Sequence, residues 1–168
     1  MTSKYQLVVG LGNPSKKYEK NRHNLGFILL DNYLKGKAEW SLNKKFNAEV
    51  TLYNEIVYAK PLTFMNESGD SVHSILSFYK IPIEKTLIIH DEIDLPFGNT
   101  KVAYGSSDAG HRGVRDIIKE LGTKDFYRLR FGVGRPEGFT PVDDYVLSDF
   151  SDQELQEISK INLENYLK

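Results

Sequence analysis

The chain contains no cysteine, one tryptophan and two methionines, and its 23 acidic and 22 basic side chains nearly cancel to a formal net charge of −1. Without cysteine there is no disulfide, no thiol nucleophile and no Cys-based zinc site. Near-neutrality means that no global field draws in a polyanion, so contact with nucleic acid has to come from a local basic patch. No apolar run approaches the roughly 20 residues that span a bilayer, and no signal-peptide region precedes the first strand-like segment. The expectation is a cytoplasmic protein. Two further absences concern chemistry: neither the serine elbow G-x-S-x-G nor the zinc-binding H-E-x-x-H spacing occurs.

What is present is ordinary for a soluble globular protein, with 40% hydrophobic and 27% charged residues. At 168 residues one domain, 1–168, is expected, large enough to bury roughly two-thirds of its unfolded surface. Strand-like and helix-like segments alternate without repeats or linkers, which points to an α/β sandwich. "YQLVVGL" (5–11) reads as a buried strand and Asn24–Leu34 as a helix. Residues 46–53 and 55–60 read as a hairpin turning at Asn54, and 66–80 carries a helical stripe that ends before Pro82. "TLIIHDEIDL" (86–95) begins as a central strand, 100–104 is a further strand candidate, and 114–121 a helix. The alternation of "FYRLRFGVG" (126–134) suits an exposed edge or half-buried strand. Ser151 and Glu154 form a capping box that opens a C-terminal helix over about 151–167.

The glycine turn after the first strand, "GLGNPS", starts like a dinucleotide fingerprint, but Ser15 stands where the third glycine belongs. The turn offers Asn13 instead, with His23 ten residues on, and Asp91 ends the apolar run at 86–89. A histidine beside a carboxylate is the minimal general-base unit, and water is then the simplest nucleophile. Asn13 and Asn66 could each donate to a carbonyl or a developing oxyanion, although both types are also turn and cap residues. His23, flanked by Arg22 and Asn24, could equally be a solvated histidine. His90 falls on the face opposite Asp91 by strand alternation and reads as structural. His111, in a glycine-bearing loop, could contact a ligand or hold the loop. His90, Asp91, Glu92 and Asp94 make a metal cluster only on paper, because neighbours along a strand diverge.

Taken in order, "VVGLGNP", Tyr18, "RHNLG", "PLTFMNESG", "HDEIDLPFG", "GHRG" and "FYRLRFGVGRP" resemble the bacterial-type peptidyl-tRNA hydrolase family, from about residue 5 to 150. The resemblance implies a single-domain three-layer α/β/α sandwich with a mixed, mostly parallel twisted central sheet. It implies hydrolysis of the ester between a peptide and the 3′-terminal ribose of tRNA by a monomer, without metal or cofactor. The substrate contacts would be with the CCA end and acceptor stem. In this reading His23 is the base on water and Asp91 orients it. Asn13 contacts the peptidyl group and Asn66 the oxyanion. Phe64, Met65, His111 and Arg112 line the cleft, and Tyr18 meets the terminal nucleotide.

Three features depart from the family's pattern. Arg112 stands where the family loop commonly has asparagine. Ala103 and Pro141 occupy positions where basic side chains commonly clamp the tRNA 5′-phosphate, so that task would fall to Lys101, Arg128, Arg130 or Arg135. The chain also stops sooner than the family commonly does. These departures keep open a second reading, a non-catalytic RNA-binding relative of the same fold, and a dinucleotide-dependent enzyme is a remote third.

Overall fold

The computed structural model describes residues 3–168. One seven-stranded sheet carries the fold, in the spatial order β2-β3-β4-β1-β5-β7-β6. Its strands are β1 (Leu7–Gly10), β2 (Ser41–Asn43), β3 (Ala48–Tyr53), β4 (Ile56–Pro61), β5 (Thr86–Glu92), β6 (Thr100–Tyr104) and β7 (Tyr127–Gly132). The four inner strands β4, β1, β5 and β7 run parallel, while β2, β3 and β6 join antiparallel at the margins. The sheet is therefore mixed, with its parallel pairings confined to the centre. Asn54 and Glu55, both at positive φ (48° and 67°), make the two-residue turn between β3 and β4 at the expected place, in the mirror-image geometry that matches strand twist.

Helices cover both faces. α1 (Leu25–Leu34) and α5 (Asp152–Ser159) pack on one, α2 (Ser68–Tyr79) and α3 (Arg112–Leu121) on the other, completing the three layers. The short α4 (Val142–Val146) lies between β7 and α5 in the chain. Pleating divides β5 between two cores: Leu87 and Ile89 join the cluster of Leu25, Leu29 and Phe131, while Ile88 joins that of Val72, Ile75 and Ile117. Each of these fully buried aliphatics contributes about 1.5–3 kcal/mol relative to exposure. No helix among the described residues is long and apolar enough to cross a membrane.

Three sequence expectations change. β7 is an inner strand with both neighbours in place, and it reads as half-exposed only because Arg128 and Arg130 alternate with Leu129 and Phe131. The tail is not one helix over 151–167. The capping box at Ser151 and Glu154 opens α5 as expected, but the helix ends at Ser159, and Asn162 accepts from the Glu164 N–H to start a separate 3₁₀ turn, Leu163–Tyr166. Such a local side-chain bond competes directly with helix continuation. α3 begins at Arg112, two residues earlier than the periodicity suggests, because His111 caps it.

Candidate active site

β1 is the switch point of the sheet, since the chain leaves it towards α1 on one face while β4 leads into α2 on the other. The crevice beyond the carboxyl ends of β1 and β5 is where such sheets bind ligands. The chain here is packed backbone against backbone. A Cβ added at Gly26 would lie 2.3 Å from the Leu11 nitrogen and 2.7 Å from the Ile89 carbonyl oxygen, and one at Gly10 would lie 2.3 Å from the Gly26 oxygen. The first turn of α1 thus rests on the ends of β1 and β5. The 3₁₀ turn just before it, Arg22–Asn24, carries His23 over the sheet edge.

Asn24 locks that turn to the glycine loop. Its Oδ1 accepts from the Asn13 N–H at 2.8 Å and its Nδ2 donates to the Asn13 carbonyl at 3.0 Å. Arg22 fastens the other side by donating to the Ser148 carbonyl and hydroxyl and to the Asp149 carbonyl, with its guanidinium 4.3 Å above the Tyr145 ring. Asn21 adds a 2.7 Å bond to Asp149. The polar stretch that suggested a solvated histidine is a buried network, with Asn21 and Asn24 only 3% and 2% exposed. Sequence reasoning missed Arg22 and Asn24 because nothing local distinguishes a buried polar residue from a solvated one.

Asp91, buried at the end of β5, stands at the focus of two imidazoles. His23 Nδ1 lies 2.9 Å from its Oδ2 and 3.1 Å from its Oδ1, and His111 Nε2 lies 2.9 Å from Oδ1. His111 Nδ1 accepts from the Gly113 and Val114 N–H groups at 3.1 and 3.3 Å, so the ring proton sits on Nε2 and points at Asp91. Both nitrogens of His111 are therefore committed, although the ring also lines the cleft. His23 Nε2 has no protein partner among the described residues.

Burial alone would raise the Asp91 pKa, but the two histidines, through charge and hydrogen bonds, hold its carboxyl well below the usual carboxylate range. Burial also pulls the His23 pKa down, and the charge and hydrogen bond of Asp91 outweigh it, leaving His23 above its ordinary value. His90 points to the opposite face, as alternation requires, donating from Nδ1 to the Asp91 carbonyl at 2.7 Å. Burial, then the neighbouring His111, depresses it to about 3, so it stays neutral.

A cleft of about 510 Å³ opens over this group, lined among others by Asn13, Tyr18, His23, Phe64, Met65, Asn66, Asp91, His111, Arg112, Val142 and Asp143. Asn13 Oδ1 accepts from the buried Met65 N–H at 2.7 Å, which ties the glycine turn to the 3₁₀ turn at Met65 and leaves the amide Nδ2 for the cleft. Its side chain thus does long-range work beyond a turn residue's. Asn66 is exposed on the 3₁₀ turn Met65–Glu67 and caps nothing, which removes the capping alternative. Tyr18 and Phe64 supply partly exposed aromatic surface at the rim.

The expected basic patch is largely absent. Arg128 is 1% exposed, its guanidinium bonded to the Lys124 and Phe126 carbonyls and stacked 4.1 Å from the Phe126 ring. Arg130 is paired with Glu92 at 2.6 Å and Arg135 with Asp94. Lys101 is exposed on β6 opposite Arg130, outside the cleft lining. His23, Asp91 and His111 offer one donor atom each within 4.8 Å, the spacing of a metal site. The atom His111 offers carries its proton, however, and the close pairs are hydrogen bonds, so the donor set suits proton handling better than metal ligation.

A histidine backed by a buried carboxylate, beside amide donors and with no serine or cysteine among the lining residues, is the equipment of a hydrolytic site. Comparison with known proteins makes the assignment specific. The family model for peptidyl-tRNA hydrolase matches residues 7–166. The peptidyl-tRNA hydrolase of Aquifex aeolicus is 44% identical over 161 residues, covering 93% of this chain and 83% of the relative. That of Neisseria meningitidis serogroup A is 45% identical over 163 residues, covering 94% and 85%. The crystal structure of peptidyl-tRNA hydrolase from Acinetobacter baumannii matches with a TM-score of 0.86 at 33% identity, over 94% of this chain and 83% of that one. The chain belongs to the peptidyl-tRNA hydrolase family, hydrolases acting on the ester bond of peptidyl-tRNA.

Proposed function

We propose that this protein cleaves peptidyl-tRNA with His23 as the base. Nε2 of His23 takes a proton from water, and the hydroxide attacks the ester carbonyl carbon. The bond to the tRNA 3′-terminal ribose oxygen breaks, and the imidazolium returns the proton to that oxygen, releasing free tRNA and a peptide acid. Asp91 holds the His23 proton on Nδ1 and stabilises the imidazolium while it lasts. Asn66 donates to the oxyanion, where one well-placed donor contributes about 2.7–4 kcal/mol. The free Nδ2 of Asn13 donates to the carbonyl oxygen of the acyl group on the substrate's α-nitrogen, which an unblocked aminoacyl group lacks.

Tyr18 stacks on the terminal adenine and Phe64 and Met65 line the path of the CCA end, in keeping with recognition of unstacked bases by aromatic side chains. Lys101, unlike Arg130, keeps its charge for the acceptor-stem phosphates. The observation that carries the reading is the pair of hydrogen bonds that fix His23 Nδ1 on Asp91 while Nε2 is left to the cleft.

The test is single-turnover hydrolysis of an N-acetylaminoacyl-tRNA, with the unblocked aminoacyl-tRNA in parallel. The expected result is cleavage of the blocked ester alone, falling at least 10²-fold in His23→Ala. Tight tRNA binding without cleavage by the wild type would instead favour the RNA-binding relative.

A further inference from the structure

Arg112 is the only permanently charged cation among the residues lining the cleft, against four carboxylates, those of Glu67, Asp91, Glu92 and Asp143. Two of the four are engaged in place, Asp91 by hydrogen bonds from the imidazoles and Glu92 by its ion pair with Arg130. A substrate with a phosphodiester beside its scissile ester therefore enters a lining that offers its backbone one fixed positive charge. That charge is already engaged: Arg112 Nη2 lies 2.7 Å from Asp143 Oδ2, joining the start of α3 to α4 across the cleft.

Resting on the hydrolase reading, we infer that Arg112 is the phosphate-binding residue of the cleft, that it recognises a phosphodiester of the single-stranded 3′ end, and that Asp143 occupies its place until substrate arrives. The energetics favour exchange. Both side chains of the pair are more than half exposed, at 59% and 63%, and exposed ion pairs are worth little. A guanidinium binds a phosphate through two parallel hydrogen bonds, a fit that a single monodentate carboxylate contact does not supply. Both residues also lie near enough to the base for their charges to act on it in opposite directions, Arg112 lowering the His23 pKa and Asp143 raising it. Arg112 in the "GHRG" loop thus offers the substrate an electrostatic contact governed by Asp143.

Two esters separate this role from a structural one: N-acetylaminoacyl-tRNA, and the same N-acetylaminoacyl group on adenosine, which carries no phosphate. The readout is the ratio of their kcat/KM values. Arg112→Gln should lower that ratio roughly tenfold and reduce the slope of log Kd against log salt for uncharged tRNA by about one. Asp143→Asn should raise the ratio roughly two- to fivefold, the range an exposed pair supports. In the double variant Asp143→Asn should have no effect of its own. A ratio and salt slope unmoved by Arg112→Gln, or an Asp143→Asn effect that persists without Arg112, would overturn the inference. If the wild type cleaved neither ester, the hydrolase reading would fall, and the Kd and salt slope of Arg112→Gln would still decide the phosphate contact.

Discussion

Asp91→Asn tests the proton arrangement more sharply than any deletion. The substitution is nearly isosteric, but it replaces one acceptor oxygen by an NH2 group that can only donate. His111 decides which way the amide faces. Its Nε2–H points at Oδ1 from 2.9 Å, and its tautomer is pinned by the Gly113 and Val114 N–H groups on Nδ1. The amide oxygen must therefore face His111, because the reverse sets donor against donor in a buried site, at about 1–3 kcal/mol. The NH2 then meets His23 Nδ1 at the 2.9 Å position and forces the His23 proton onto Nε2, where the lone pair is needed.

The wrong tautomer and a lost carboxylate in a His–Asp pair cost about 10⁴-fold in kcat, near 5 kcal/mol of barrier. Single-turnover hydrolysis of N-acetylaminoacyl-tRNA at saturating enzyme reads the loss directly. Adding His111→Ala should then partly restore activity, at least about tenfold over Asp91→Asn alone, because the amide is free to turn its oxygen to His23. The double variant loses a helix cap worth about 1 kcal/mol, so its folding is checked by its unfolding transition. Activity of Asp91→Asn within tenfold of wild type would refute the tautomer argument, and a double variant no better than the single would refute the role given to His111.

The two cleft asparagines should separate cleanly. Asn13→Ala strips the acceptor from the buried Met65 N–H and should lower both activity and stability, the latter by about 1–3 kcal/mol in urea. Asn66→Ala touches no internal bond and should cost 10²–10³-fold in kcat with the urea midpoint unmoved; equal destabilisation by both would contradict this. Because catalysis requires neutral His23 and its pKa is raised, kcat/KM should fall as pH drops, along an acid limb centred above the ordinary value of 6.5. A limb below 6.5 counts against the Asp91 pairing. Folding stability carries a pH dependence of its own, through His90. Its folded pKa is depressed from 6.5 to about 3, so below pH 6.5 the unfolded chain takes up a proton that the fold refuses. The associated stability, a few kcal/mol by linkage, is complete above pH 6.5 and is lost towards pH 3. His23, with a raised pKa, slopes the other way, so the measurement is wild type against His90→Gln. Parallel curves for the two proteins would remove His90 from the account.

Asn13 on a strand-ending turn, Asp91 closing an apolar run and His23 on the connection between them were legible as candidates, while the roles proposed for them came from the resemblance of seven ordered motifs and not from residue type alone. The elements followed from period, and the Ser151 box and the Asn54 turn fell where local hydrogen bonding and positive φ demanded. What escaped was decided by tertiary partners. Arg128 looks like a surface cation until the Lys124 and Phe126 carbonyls enclose it, and Arg130 until Glu92 arrives from β5. His111 reads as a ligand residue or a loop residue, and the fold makes it cap α3 and hold Asp91 at once. No local pattern places Asn162 as a start rather than a continuation, because its bond to Glu164 competes on nearly equal terms with one more helical turn.

The fastening of the His23 turn by Arg22 and Asn21 has a consequence for the order of events during synthesis. Its anchors, Ser148 and Asp149, are made 126–128 residues after the residues they hold. A nascent chain can pair β1 with β4 and then β5 and seat the His23 turn on Asn13 through Asn24, while the side held by Arg22 and Asn21 is still unfastened. The turn is therefore fastened on both sides only once Ser148 and Asp149 have been made, and not in proportion to the sheet already built. A chain interrupted before Ser148 would carry all of the proposed catalytic residues with the turn of the base held from one side only.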